Sequence, residues 1–248
     1  MVTDIKQNTY ARIAGLTYII VIILGVFSVN VIESSLIVPG NDSTTYRNIS
    51  ENEFLFRIAV ASEVVMYLLV ILLSSALFIV LKTVDKNLAL IALLLRVAEA
   101  VIGAATIVLS GLIPALLINI DRVFSPEQVY TLVRLFLDIR ESGLDIVLMF
   151  IGIGGSIFCY LFYKSNYVPK FLAGWGIFTY LTMLLLSFTS LLLPNIPETI
   201  KMIFYAPGGL FELIFGFWLF LKGINVKQGT KQPHQADARK RRDPRNDL

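Results

Sequence analysis

The chain has 248 residues, of which 56% are hydrophobic and 16% are charged, and its formal net charge is +3. Soluble domains carry about 25% charged residues, so a soluble fold with this composition would have too few polar residues to cover its apolar surface. A disordered chain is also excluded, because disordered chains have low hydrophobicity. The single cysteine and the single histidine, His234 in a polar tail, exclude an intramolecular disulfide, a Ser-His-Asp triad and a His-ligated metal site within the apolar part. We therefore expect most of the chain to lie in lipid.

Six apolar runs are long enough to cross a bilayer, because a hydrocarbon core of about 30 Å requires about 20 helical residues. The first run is longer than the apolar part of a cleavable signal peptide, so it is expected to remain as a helix. The predicted fold is all-α: an integral membrane bundle of six transmembrane helices with no β-sheet. The helices are predicted near residues 11–32, 56–81, 88–118, 142–163, 171–193 and 203–221.

Residues 1–222 are predicted to form the transmembrane domain, and residues 223–248 a disordered basic tail. The distribution of Lys and Arg around the spans favours a cell-membrane protein with both termini in the cytoplasm. Four basic residues of the tail could contact anionic lipid headgroups, or could act only as a topology anchor. Nucleic-acid binding is not expected, because no folded basic surface accompanies the tail. The four residues are Arg239, Lys240, Arg241 and Arg242.

The third predicted helix carries its polar and small residues at spacings of three and four, which places them on one face. The fourth begins with Ser125, Pro126 and Gln128, the pattern of a capping box with proline in the first turn. We expect this start to lie near the membrane surface and to lead into the crossing, with a bend at Gly143. Small residues on such stripes favour close helix packing. The glycines interpreted in this way are Gly103, Gly152, Gly209 and Gly216.

Five ionisable residues lie inside the predicted spans, where each charge at the bilayer centre costs at least about 2.5–3.5 kcal/mol. One arginine does not balance four acids, so some acids must be protonated, contact water or bind a cation. The spacing of Arg96 and Glu99 predicts an ion pair. We predict a polar cavity that binds a proton or a small cationic solute, against the alternative of a purely structural ion-pair lattice. The candidate residues are Glu63, Arg96, Glu99, Asp145 and Glu212.

Several segments resemble the membrane family known as domain of unknown function 4386. The resemblance covers about residues 9–222 and implies a prokaryotic multi-pass integral membrane protein. It carries no established activity, and it implies no catalytic residues, metal or cofactor. The segments are YARIAGL at 10–16, SLIVPGN at 35–41, FR at 56–57 and YLFYKSNYVPK at 160–170.

Three functions are compatible with these patterns. The first is a small transporter or ligand-binding membrane protein that uses the five ionisable residues. The second is a non-catalytic scaffold or partner subunit, in which the polar stripes hold helices together. The third is a lipid-modifying intramembrane enzyme with a divalent metal on Asp138, Glu141 and Asp145. The sequence favours the first over the second, because one arginine does not balance four acids. It disfavours the third, because the motifs that metal-dependent or nucleophilic enzymes require are missing.

Overall fold

A computed structural model of the chain describes residues 2–118, 124–193 and 196–226, which are mostly helical and contain no strand. Residues 227–248 of the predicted basic tail, which include His234 and the four candidate headgroup contacts Arg239, Lys240, Arg241 and Arg242, lie outside the described residues. Two π-helical turns, Ile32–Leu36 and Val108–Leu112, continue α1 and α4. The α-helices are α1 (Val2–Val31), α2 (Asp42–Glu51), α3 (Glu53–Leu81), α4 (Lys86–Ile107), α5 (Ile113–Leu117), α6 (Pro126–Ser165), α7 (Lys170–Leu192) and α8 (Glu198–Leu221).

Six of these segments are long and apolar enough to cross a membrane, which confirms the predicted six-helix membrane bundle. The fourth segment begins at Pro126 rather than near residue 142, because α6 runs without interruption through Gly143. The short helix α2 was not predicted. The six segments are Ile5–Leu36, Glu53–Leu81, Lys86–Leu117, Pro126–Ser165, Lys170–Leu192 and Thr199–Leu221.

Side-chain caps start three of the helices. The Asn41 side chain accepts a hydrogen bond from the backbone N–H of Thr44, and the Asp85 carboxylate accepts one from Leu88. At α6 the Ser125 hydroxyl and the Gln128 side chain form the predicted capping box. Each cap satisfies a backbone donor that a helix start leaves free, so each fixes where a helix begins.

The six membrane helices form a closed ring. Each membrane helix packs against the next one in the chain, in the order α1, α3, α4, α6, α7 and α8, and α8 packs back against α1. In this ring α4 and α8 stand on opposite sides. Polar side chains that point inward from α4 and α8 are therefore brought together by the ring and not by sequence proximity.

The two ends of the bundle differ. One end, here called the near end, holds the N-terminal part of α1 and the turns at 82–85, 166–169 and 222–226. There the Gln7 amide donates to the backbone carbonyl of Val80 at 2.6 Å and to the Tyr167 hydroxyl at 3.1 Å. The opposite end, the far end, carries α2 against the first half of α6. At 40 residues α6 is about 60 Å long, twice the hydrocarbon thickness, so its first half extends beyond the core.

The outer faces of the ring are apolar and exposed. Phe171 is 82% exposed, Leu185 67% and Leu68 62%, as expected for side chains that face lipid. The interior of the near half is an aromatic cluster in which the Phe211 ring stacks on Phe215 at a centroid distance of 5.3 Å. This packing surrounds the polar side chains at the centre of the ring.

Candidate functional site

The polar side chains in the bundle form three groups. The first, here called the central cluster, consists of Tyr18, Arg96, Glu99, Tyr180 and Glu212. It takes its members from four helices: α1, α4, α7 and α8. Arg96, Tyr180 and Glu212 each lie about ten residues from the near end of their helix, which is about 15 Å or half the hydrocarbon thickness. The central cluster is therefore at mid-membrane depth.

Arg96 and Glu99 form the predicted ion pair, with Arg96 Nη1 at 2.7 Å from Glu99 Oε2. Arg96 is 4% exposed and Glu99 1%, so water does not screen the pair. Neither of these two atoms has a hydrogen-bond partner among the described residues. The two side chains are thus in close charge contact, and both of these atoms can still form hydrogen bonds.

Glu212 faces the same arginine from the opposite side of the ring, and Arg96 interacts electrostatically with both Glu99 and Glu212. The Tyr180 hydroxyl donates a 2.7 Å hydrogen bond to Glu212 Oε1. The hydroxyls of Tyr180 and Tyr18 are 3.2 Å apart and share a hydrogen bond. A continuous polar chain thus runs from α1 through α7 to α8. Glu212 is only partly buried, unlike Glu99.

Two glycines of α6 make room for the central cluster. A Cβ added at Gly154 would lie 3.1 Å from Arg96 Cγ, and one added at Gly155 would lie 2.7 Å from atoms of the Tyr180 ring. The buried Cys159 lies on the same helix, four residues after Gly155. The small residues of α6 therefore let larger polar side chains occupy the centre of the ring.

The second group, the Glu63 cluster, consists of Ser28, Glu63 and Arg140. The Ser28 hydroxyl donates to Glu63 Oε1 at 2.5 Å, and Arg140 Nη1 donates to Glu63 Oε2 at 2.9 Å. Arg140 Nη2 contacts the first carboxylate oxygen, so the guanidinium binds the carboxylate in a bidentate manner. Glu63 is thus balanced by its own arginine on α6.

The third group, the Asp145 cluster, lies towards the far end and consists of Asp145, Ser190 and Tyr205. The Ser190 hydroxyl donates to Asp145 Oδ2 at 2.7 Å, and the Tyr205 hydroxyl donates to Oδ1 at 3.4 Å. Next to it Lys201 Nζ lies 2.5 Å from Glu141 Oε1. A cavity of about 180 Å³ opens here, and its lining includes Asp138, Glu141, Asp145, Ser190 and Lys201.

The three acids of the metal-enzyme hypothesis do not converge on a common point. Asp138 pairs with Arg134 at 2.8 Å, and Glu141 with Lys201. Across the described ranges, no group of three or more His, Cys, Asp or Glu side chains could hold a metal ion. Two of these acids are paired with basic side chains instead, and Asp145 accepts hydrogen bonds from two hydroxyls.

The five candidate residues are therefore divided. Arg96, Glu99 and Glu212 come together, whereas Glu63 and Asp145 belong to separate groups. Sequence reasoning missed the tyrosines that connect the central cluster, because it followed charges and small residues only. A signal existed in α7, where residues that are mostly small or polar recur at spacings of three and four on its buried face. That series is Ala173, Gly176, Tyr180, Met183, Ser187 and Ser190.

Comparison with known proteins identifies a family that matches the chain. The family described as "Domain of unknown function (DUF4386)" matches residues 13–223, which is most of the chain and includes the three polar groups. No curated protein and no solved structure matches the chain.

Proposed function

We infer the function from the side chains of this protein, because the chain belongs to the DUF4386 family, whose description gives no function. We propose that it is a small membrane transporter in which the central cluster binds one proton or one small cation. We further place it in the cell membrane with both termini in the cytoplasm.

The observation that carries the proposal is the charge balance of the central cluster. One guanidinium, Arg96, faces two carboxyls, Glu99 and Glu212, at mid-membrane depth. If both carboxyls were ionised, one negative charge would be uncompensated, at a cost of at least about 2.5–3.5 kcal/mol. The cluster is neutral when it also holds one proton or one monovalent cation. Glu212 is the accessible member, because it is less buried than Glu99.

The position of the central cluster couples binding to helix packing. Arg96 and Glu99 lie on α4, and Glu212 lies on α8 across the ring. Loss of the proton leaves Glu212 charged, which strengthens its attraction to Arg96 and alters the preferred separation of the two helices. A ligand that binds one arrangement better than another shifts the population between them. This supports transport by alternating packings of the ring.

The other two groups supply structure and access. Glu63 has a bidentate arginine partner, so it needs no further cation, and we assign it a structural role. Asp145 accepts two hydroxyl hydrogen bonds beside a cavity near the far end. We propose that Asp145 lies on the route by which a cationic solute reaches Glu212.

The test is proton-coupled flux in proteoliposomes that enclose a pH-sensitive dye. Sodium, lithium, potassium and quaternary ammonium ions are added outside, since quaternary ammonium ions cannot cross lipid as a neutral base. We expect at least one of them to change the internal pH with the wild-type protein. With Glu212→Gln that response should disappear, and with the matched variant Glu51→Gln, at an exposed acid of α2, it should remain.

A scaffold function gives a different result in the same assay. If the polar groups only hold helices together, no cation moves protons in the wild-type protein, and Glu212→Gln changes stability alone. That outcome would reject the transporter proposal and support a structural role for the polar groups.

A further inference from the structure

A second charged feature lies at the near end, away from the central cluster. It is an open cavity of about 690 Å³ between α1, α8 and the segment that follows α8. Its lining includes Asn8 and Arg12 of α1, Tyr167, and Trp218 and Lys222 at the end of α8. Among the described residues that line it there are two cations and no acid.

The chain after α8 builds one wall of this cavity. Gly223 has a φ of +68°, which turns the chain back across the bundle end. The backbone N–H of Ile224 then donates to Asn8 Oδ1 at 3.0 Å, and that of Asn225 donates to the Tyr167 carbonyl at 3.0 Å. The wall is thus tied both to α1 and to the turn between α6 and α7.

The cationic groups are placed at the level of lipid headgroups. Lys222 Nζ lies 4.2 Å from the centroid of the Trp218 ring, a cation–π contact at the end of a membrane helix. Tryptophan and tyrosine are enriched at this level of a bilayer, and basic pockets between membrane helices bind phosphorylated headgroups. The charge, the depth and the shape of the cavity therefore fit a phosphorylated lipid headgroup.

We propose that this cavity binds the phosphate of an anionic phospholipid headgroup, with Arg12 and Lys222 as its cationic partners. The acyl chains of that lipid extend along the exposed apolar faces of α1 and α8, where Leu16 and Phe220 are exposed. The site differs from the four candidate headgroup contacts of the basic tail, residues 239–242, which lie further along the chain.

The experiment is native mass spectrometry of the full-length protein with phosphatidylglycerol, phosphatidylcholine or inorganic phosphate. We compare the wild type with Arg12→Gln/Lys222→Gln. The matched control is Lys82→Gln/Lys170→Gln, which removes two charges at the same end from cation–π contacts outside the cavity. The tail is present in every variant, so its contribution is constant.

We expect the wild type and the control to retain one phosphatidylglycerol that phosphatidylcholine does not replace. The affinity for that lipid should fall about fivefold for each charge removed in the cavity. The charge-preserving variant Arg12→Lys/Lys222→Arg should still bind, which separates loss of charge from misfolding. The proposal is overturned if the control loses the lipid equally, or if inorganic phosphate at the same concentration displaces it.

Discussion

Glu63 and Glu212 are both acids inside the bundle, but their neighbours give them different charge balances. Glu63 is held by Ser28 and by both terminal nitrogens of the Arg140 guanidinium. Glu212 accepts a hydroxyl from Tyr180 and shares Arg96 with Glu99. A carboxylate with its own cation is fixed in one state, whereas two carboxyls that share one cation leave a place for a proton or an ion.

The shared arginine predicts a non-additive pair of substitutions. Glu99→Gln and Glu212→Gln each leave one carboxylate for Arg96, so each should change the free energy of unfolding by less than about 1 kcal/mol. The double variant leaves Arg96 buried without a carboxylate and should cost about 3 kcal/mol or more. The free energy of unfolding is measured in mixed micelles for the wild type, the two single variants and the double variant. A double variant that equals the sum of the single variants would contradict the shared charge.

Glu63→Gln should behave differently, because it removes the carboxylate that Arg140 binds in a bidentate manner. The side chains of Glu63 and Arg140 are 8% and 14% exposed, so the loss should approach the cost of breaking a buried ion pair, about 3 kcal/mol. The same unfolding assay checks this, with Glu51→Gln at an exposed position as the control. A loss no larger than that of the control would show that Glu63 is not structural.

At the scale of helices, α1 and α8 close the ring through backbone contact. A Cβ added at Gly15 would lie 2.6 Å from the Gly216 carbonyl oxygen and 2.9 Å from the Leu219 carbonyl carbon. These are backbone atoms, so the two helices would have to separate. By contrast, nothing lies within 4 Å of a Cβ added at Gly209, which is a correction to its predicted role in close packing. The spacing of small residues locates a face but not the partner that the face meets.

This difference gives a matched pair of alanine variants. Gly15→Ala should destabilise the protein by about 1–3 kcal/mol, because a closely packed contact becomes overpacked. Gly209→Ala should be neutral or slightly stabilising, because alanine favours helix more than glycine does. Thermal unfolding followed by circular dichroism distinguishes them. Equal effects of the two substitutions would rule out the backbone contact as the closure of the ring.

The π-helical turn in the third span holds a buried hydroxyl, Ser110 Oγ, that has no hydrogen-bond partner among the described residues. Ser110→Ala should therefore leave stability unchanged or raise it by up to about 1 kcal/mol. Ser74→Ala is the control, because the Ser74 hydroxyl donates to the Val70 carbonyl at 2.7 Å. The midpoints of thermal unfolding are compared for the two variants. A clear decrease in the midpoint for Ser110→Ala would show that its hydroxyl has a hydrogen-bond partner.

For the whole molecule, the charge balance predicts how stability depends on pH. The groups that face Glu212 are Arg96 and Glu99 on α4, Tyr18 on α1, Cys159 on α6 and Tyr180 on α7. A proton neutralises the folded centre, and raising the pH removes it and leaves an uncompensated charge. The thermal midpoint should therefore fall as pH rises, and the slope should flatten in Glu212→Gln. A slope that survives in this variant would place the titrating group elsewhere.

The sequence was sufficient for the six membrane helices, the capping box at Ser125 and the ion pair of Arg96 with Glu99. These depend on composition or on neighbours within one helix turn. The meeting of Arg96 with Glu212, and of Glu63 with Arg140, depends on which helices are adjacent in the ring. The start of α6 at Pro126 was also predicted, from the capping pattern, but the crossing was placed only from about residue 142, because the first half of α6 is amphipathic and lacks the apolar signal of a membrane crossing.

The most direct test of the central claim is an infrared difference spectrum between low and high pH, read at the carbonyl stretch of protonated carboxylic acids. The wild-type protein should lose one such band as the pH rises. The band should be missing in both Glu99→Gln and Glu212→Gln, because each variant has one carboxylate for Arg96 and needs no proton. It should persist in Glu63→Gln. If the wild-type spectrum lacks the band in every buffer, including buffers free of small cations, the central cluster does not hold an exchangeable proton.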